Sequence, residues 1–341
     1  MKIAIGYRVR EGPWGGGNRF VAALIAALRD SGHSVVHELD DRDIDIILVV
    51  DPRRRNPSVT FTPGAILRYL ARRNPNAIVV QRVNECDERK NTKTVNPRLK
   101  LANYCADHTV FVGSWLTKLP TWRSKDPSTC GVILNGSDKD EFHPTSQMPW
   151  DGREPLRLVT HHWGGNWMKG FDVYRRVDEM LVTPSWRDRI RFTYIGNTPP
   201  GFRFVNARHV QPLSGRDLAD ELRRHHVYLT ASINEPGSHH QNEGALCGLP
   251  ILYRNSGCLP EYCAGFGESF AGDDFVPALE RMIANYDHWI SAMPSYPHTA
   301  ERMVAQYIAL FEDLIARRRE VLANRHLWLN PLAFVLNQLP I

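Results

Sequence analysis

Two glutamates with seven residues between them, Glu235 and Glu243, bracket a Pro-Gly turn and lead into the stretch GALCGLPIL. The turn at Pro236-Gly237 offers backbone N–H groups beside a helix that begins near Glu243, and that combination holds phosphate oxygens. The carboxylates repel phosphate, yet each accepts hydrogen bonds from the hydroxyls that sugars and riboses carry. A sugar–diphosphate–nucleoside ligand fits both halves of this description. Two surface glutamates at a chance spacing are the alternative that the pair alone leaves open.

A second element, this one basic, is Lys169, in Asn166-Trp-Met-Lys-Gly170. An ammonium just before a glycine that opens a helix can lie on a diphosphate and offset the charge of a departing nucleotide; an ordinary surface lysine is the alternative. Gly15-Gly-Gly17, with Asn18, follows the first strand and permits a tight turn with close approach of backbone to ligand. A plain strand-to-helix turn fits as well. The G-x-G-x-x-G fingerprint is absent, which disfavours an NAD-dependent dehydrogenase. Gln81–Asp87 follows an apolar strand and reads as a loop whose Arg82, Asn84, Glu85 and Asp87 either face an acceptor or pair with one another. The doublet His225-His226 closes a helix and reads as structural.

The elements that must position these residues alternate strand and helix, twice over. Lys2–Gly6, Ile44–Val50, Ala77–Val80, Thr109–Val112 and Val132–Leu134 are strand candidates, with helical runs at Phe20–Arg29 and Gly64–Arg73. A Pro-, Ser- and Thr-rich stretch, Phe142–Pro155, reads as a linker. The alternation then restarts. Strands are expected at Leu156–Thr160, Arg191–Ile195, around Val210, at Val227–Thr230 and at Pro250–Tyr253; helices at Phe171–Leu181, Leu218–Arg224, Gly244–Cys247 and Phe275–Tyr286. Continuous apolar strands between helices imply parallel sheets covered on both faces. We therefore expect an α/β protein with two tandem doubly wound, Rossmann-like domains whose strand ends face each other across a cleft. The boundaries are placed at residues 1–148 and 149–310. A segment over 311–341, following the helical stretch that starts at Ala300, packs back toward the first domain; interfacial membrane contact by its apolar end, Leu327–Ile341, is the other option.

Composition agrees with a globular protein: 43% hydrophobic and 23% charged residues. No apolar run approaches the ~18 residues that would suggest a membrane span, and the first residues lack the shape of a signal peptide. The six cysteines form no CxxC pair, as expected of reduced thiols in a cytoplasmic protein. Residues 1–150 hold 22 Lys and Arg against 16 Asp and Glu, a surplus of +6, whereas the remainder carries −1. Such a field, which includes Arg53, Arg54 and Arg55, suits a phosphorylated acceptor or an anionic membrane surface, or is simply a solvated loop; nucleic acid is not expected as the partner.

The stretch Glu235–Pro250 resembles the E-x7-E signature of glycosyltransferase family four and its GT-B relatives, with Cys247-Gly248-Leu249-Pro250 matching the turn that ends the family's helix. Asn135-Gly-Ser-Asp138 with Phe142-His-Pro144, His209-Val-Gln-Pro-Leu-Ser214 and Gly257-Cys-Leu-Pro-Glu261 are similar to further family segments, in the right order. The resemblance implies that Glu235 meets the donor sugar hydroxyls and Glu243 the ribose. Gly237 and Ser238 lend amides to the sugar and diphosphate, with His239 beside them. Pro212 and Leu213 border the base, and Gly196 and the Gly16-Gly17 loop also stand on the donor side. It implies a catalytic pair of Glu235 and Lys169. The family's arginine, five residues before that lysine, is here Gly164, with His161, His162 or Asn166 as possible substitutes. It further implies retention of anomeric configuration, a UDP- or GDP-linked hexose as donor, no cofactor, and no metal, in keeping with the lack of a D-x-D motif. The acceptor, a sugar, lipid-linked or small molecule, is left open. Two other readings share the donor site: a nucleotide-sugar epimerase, and a catalytically silent nucleotide-sugar-binding subunit.

Overall fold

The computed structural model describes residues 1–10, 15–53, 56–325, 327 and 329–339; Arg54 and Arg55 of the basic cluster lie outside them. The chain divides into two compact units, one formed by Met1–Leu134 with Glu301–Ile341, the other by Asn135–Ala300. The divisions fall at 134/135 and 300/301 rather than at 148 and 310. The reason is local: Asn135 and Ser137 bond to the second unit's own loop, as described below, whereas the helix beginning at Ala300 buries Met303, Val304, Tyr307, Phe311 and Leu314 in the first unit's core.

The first unit runs β1 (Lys2–Ile5), α1 (Gly16–Asp30), β2 (Ser34–Val36), β3 (Ile46–Val49), α2 (Pro63–Arg72), β4 (Ile78–Val83), α3 (Val95–Ala102), β5 (His108–Phe111), α4 (Ser114–Thr117) and β6 (Cys130–Val132). Its six strands are parallel, in the order β2-β1-β3-β4-β5-β6. Strand side chains alternate between faces, and the core shows it. Ile46 and Leu48 pack with Phe20, Leu24 and Leu28 of α1 on one face, while Ile47 and Val49 pack with Ile66, Leu67 and Leu70 of α2 on the other. Thr62 caps α2 by accepting from the Ala65 amide at 3.3 Å, and Pro63 occupies the first turn, where no N–H is needed.

The second unit contains β7 (Leu156–His162), α5 (Phe171–Met180), β8 (Ile190–Gly196), β9 (Arg208–Val210), α6 (Gly215–Arg223), β10 (Val227–Thr230), α7 (His240–Leu246), β11 (Ile251–Arg254), α8 (Leu259–Cys263), β12 (Gly267–Phe270), α9 (Phe275–Ala284) and α10 (Tyr286–Ala292). Its parallel sheet has the order β12-β11-β10-β7-β8-β9, the doubly wound arrangement of dinucleotide-binding domains. The chain lays β8 and β9 on one side of β7, then returns to place β10 on the other. β7 and β10 therefore flank the switch point, outside whose carboxyl ends such sheets bind ligands.

The chain ends with α11 (Ala300–Ala316), α12 (Arg318–Ala323) and α13 (Pro331–Leu336). These stay with the first unit. Arg325 reaches Asp107 with Nε at 2.8 Å, and Tyr104 donates to the Leu327 carbonyl at 2.6 Å. Gly64 lies so close to Asn337 that a Cβ there would stand 2.3 Å from its carbonyl oxygen. No helix among the described residues is long and apolar enough to cross a membrane. The six cysteines are unpaired and all but Cys130 are buried; burial pushes the Cys105 and Cys247 thiols up to about 12.

Candidate functional site

The loops after β7 and β10 are held against each other. Gly170 adopts φ +101°, and a Cβ there would stand 2.4 Å from that of Ala231. The Ile233 amide donates to the Met168 carbonyl at 2.8 Å. This packing brings Lys169 Nζ to 2.6 Å from Glu235 Oε2, with the two side chains 12% and 5% exposed. The main chain at Glu235 is gripped in turn by Gly257-Cys258. Cys258 N–H donates to the Glu235 carbonyl at 2.9 Å. Gly257, at φ +58°, comes so close that a Cβ would meet the Glu235 nitrogen at 2.5 Å.

Glu243 lies in the first turn of α7, where a carboxylate complements the helix dipole. Its Oε2 is 2.7 Å from His161 Nε2, the penultimate residue of β7. Behind that pair, the Tyr228 hydroxyl accepts the His161 amide proton at 3.2 Å and reaches Nδ1 at 3.0 Å. The hydroxyl proton can go to Nδ1 or to the His161 carbonyl, 3.4 Å away. Gly244 makes room for this relay, because a Cβ there would stand 2.2 Å from the Tyr228 ring.

Further buried polar groups line the same strand ends. His162 Nε2 is 2.8 Å from the Tyr174 hydroxyl, and His240 Nε2 is 2.8 Å from Thr230 Oγ1; the two imidazoles sit 4.6 Å apart. Burial, reinforced by the Lys169 charge, holds His240 well below the usual histidine range, so it is neutral at pH 7. The loop from Glu235 to Glu243 is braced by the stretch before β7. Asn135 Nδ2 donates to the Gly237 carbonyl at 2.7 Å, and Asn242 Nδ2 returns to the Asn135 carbonyl at 2.9 Å. The Asn-Gly-Ser-Asp segment, placed in the first domain by the boundary expected at residue 148, thus belongs to the second unit.

Other expected site residues fall as follows. Ser238 is buried, and its hydroxyl donates to Gln241 Oε1 at 2.6 Å. His239 is also buried, and its carbonyl accepts the Glu243 amide at 3.0 Å. Asn166 caps its own turn by accepting from the Met168 amide at 2.8 Å. Gly196 is needed by the sheet itself: at φ +135° a Cβ would stand 1.9 Å from the His162 carbonyl oxygen. Pro212 and Leu213 lie partly exposed between β9 and α6. In the first unit Gly16 and Gly17 open α1, and a Cβ at Gly17 would meet nothing within 4 Å. Asn18 pairs through its side chain with both backbone groups of Arg10, at 2.8 and 2.9 Å.

The Gln81–Asp87 segment differs from its expected form. β4 continues to Val83, so Arg82 is a strand residue, 1% exposed, with its guanidinium 4.1 Å over the Phe20 ring. Asn84 and Glu85 do follow the strand; Glu85 pairs with Arg89 at 3.0 Å and Lys90 at 3.3 Å. Of the three groups expected to stand in for an arginine at Gly164, His161 is bonded to Glu243, His162 to Tyr174, and Asn166 to its own turn.

No family model matches the chain, and no curated protein matches it in sequence. Its structure is similar to solved ones over nearly its full length. The sucrose-phosphate synthase of Thermosynechococcus elongatus has a TM-score of 0.64 at 15% identity, covering 92% of this chain and 99% of that one. The catalytic domain of starch synthase IV from Arabidopsis thaliana, bound to ADP and acarbose, has a TM-score of 0.67 at 13% identity, covering 93% and 99%. The Anabaena protein HepE in complex with UDP has a TM-score of 0.65 at 11% identity, covering 92% and 100%. At such identities the likeness concerns the fold: two Rossmann-like α/β units of the GT-B type.

Proposed function

We propose that this chain is a retaining glycosyltransferase, related to family four, that moves a hexose from a UDP- or GDP-linked donor to an acceptor hydroxyl. One observation carries the reading. Lys169–Glu235 and His161–Glu243 are two carboxylate–cation or carboxylate–imidazole pairs side by side at the switch point of a dinucleotide-type sheet. In this proposal Glu243 accepts the ribose hydroxyls and Glu235 those of the sugar. An ammonium has three N–H donors, so Lys169 can hold Glu235 and a diphosphate oxygen together and stabilise the leaving group without a metal ion. Leaving-group oxygen takes the acceptor proton, and the protein's part is to position the donor and to stabilise the developing charge.

The relatives' bound nucleotides add support, since HepE was captured with UDP and the starch synthase domain with ADP. Within the first unit, Asn84, Glu85, Gly16 and Gly17 are proposed as ligand-contacting residues. A peripheral contact with the inner face of an anionic membrane is proposed for that unit, which holds 26 Lys and Arg against 17 Asp and Glu.

The test is titration of a nucleotide and nucleotide-sugar panel into the parent chain and Glu243→Ala. Loss of a hydrogen bond to a charged group is worth about 1.5–3 kcal/mol, so nucleotide affinity should fall at least roughly tenfold. Unchanged affinity would remove the ribose assignment. Because His161 sits on Glu243, acid–base groups suited to an epimerase are also present. Release of free nucleotide only when an acceptor is supplied separates transfer from that alternative, and slow donor hydrolysis lost in Lys169→Ala separates it from a silent binding subunit.

A further inference from the structure

At the opposite, amino end of the first unit's sheet, an open pocket of about 180 Å³ lies beneath β5 and β6, walled by α11 and α12. Its charged lining is Asp107, His108, Lys125, Arg317, Glu320 and Arg325. Most of these charges are spent on one another. Asp107 takes Arg325 Nε at 2.8 Å and the Val79 amide at 2.7 Å. Arg317 holds Asp313 at 2.5 Å and Glu320 at 3.3 Å.

Two groups are not spent. Lys125 makes no ion pair among the described residues; its ammonium donates to Asn103 Oδ1 at 3.1 Å. His108, the first residue of β5, is 7% exposed, and its Nε2 is buried without a hydrogen-bond partner among the described residues. A buried polar atom left unbonded costs about 1–3 kcal/mol, and such an atom calls for an explanation. Both residues line one polar pocket.

We propose that this pocket binds a small oxyanion, the phosphate or carboxylate of a metabolite, between the Lys125 ammonium and the His108 Nε2–H, with Arg317 at its edge. The site is separate from the proposed donor site and does not rest on the transferase reading. Burial, with Lys125 and Arg317 adding to it, lowers His108 to about 4. The imidazole is then neutral at pH 7 and can present one proton on Nε2 to an anion. Burial likewise lowers the proton affinity of Lys125, and an oxyanion between the two groups opposes both shifts.

The experiment uses the full chain and inorganic phosphate, with acetate and citrate as carboxylate probes, at ionic strength matched with sodium chloride. Calorimetry should give a dissociation constant on the order of 1 mM or tighter for the preferred probe. Preference for phosphate identifies a phosphate monoester as the natural ligand class; preference for citrate or acetate identifies a carboxylate. Lys125→Met and His108→Phe should each weaken binding at least roughly tenfold, and Lys169→Ala should leave it intact. In the parent chain the ¹⁵N resonance of His108 Nε2 should move on titration, a readout that needs no variant to fold. A silent His108 resonance overturns the proposal, as does equal binding in both pocket variants or loss of binding in Lys169→Ala.

Discussion

Lys169 Nζ lies 2.6 Å from Glu235 Oε2, although the two residues are 66 positions apart in sequence and belong to loops after different strands. Neither loop alone could hold such a pair. It exists because β7 and β10 are neighbours and because Gly170 lets one loop rest on the other.

Removing one partner of a buried ion pair costs about 3–5 kcal/mol, since the remaining charge keeps its desolvation penalty. Lys169→Met should therefore lower urea-unfolding stability by about that much. Lys169→Met combined with Glu235→Leu should recover most of the loss. Additive losses in the double variant would show that the two groups do not couple.

Gly257 and Gly17 should respond to alanine in opposite ways. At Gly257 the positive φ and the 2.5 Å approach to the Glu235 nitrogen leave no room, so Gly257→Ala should cost about 2 kcal/mol or more and weaken nucleotide binding. At Gly17, in the first turn of α1 with nothing within 4 Å, alanine should stabilise the chain by about 0.5–1 kcal/mol. If a ligand approaches that backbone, as proposed, Gly17→Ala should still slow donor turnover.

The acid response follows from buried histidines. His225, bonded to the Glu221 carbonyl at 2.8 Å and to Thr193 at 2.9 Å, is held at about 4 by burial, as is His108. Unfolding returns each to the ordinary value near 6.5, so between pH 4 and 6.5 the unfolded chain binds more protons. Their contribution is complete above about pH 6.5 and is lost as pH falls toward about 4. Calorimetric melting should show a midpoint that drops over that window. His225→Gln should flatten the drop; an unchanged slope would exclude His225 as its source.

The tail offers a test of membrane contact. Phe334 packs on the first unit's core, while Leu332, Val335 and Leu339 are 67, 57 and 55% exposed. Vesicles rich in anionic lipid should float the parent chain. Leu332→Ser with Val335→Ser should weaken flotation several-fold, at about 1 kcal/mol or more per apolar side chain withdrawn. Equal flotation of both proteins would refute the tail as the contact.

The sheets were legible because runs such as Ile46–Val49 and Ile78–Val80 are apolar throughout, as strands covered on both faces must be. Of the outer strands, β6 and β9 were anticipated near Val132–Leu134 and Val210, whereas β2 and β12 were not. β2 has only three residues, and β12 carries Glu268 and Ser269, half-exposed at an edge where one face need not be apolar. α3 escaped because Pro97 breaks its periodicity. Arg82 was read as a loop residue because buried strands seldom contain Gln-Arg. Here Asn103 donates to Gln81 at 2.8 Å and Phe20 covers the guanidinium, so the polar pair stays inside. At the candidate site, Glu235, Lys169 and Glu243 were singled out by their spacing together with the family resemblance. The His161–Tyr228 relay could not, since its members meet only through the pairing of β7 with β10.

The order in which the chain leaves the ribosome has a cost built into it. Phe20, Leu24 and Leu28 are covered partly by Tyr307, Phe311 and Leu314, which are synthesised nearly three hundred residues later. The contiguous stretch Asn135–Ala300 can complete its own core first, while the opening segment waits with an apolar helix face uncovered. A nascent chain stalled before Glu301 should therefore be a target for chaperones and prone to aggregate, even though every residue of the Glu235–Glu243 loop has already been made.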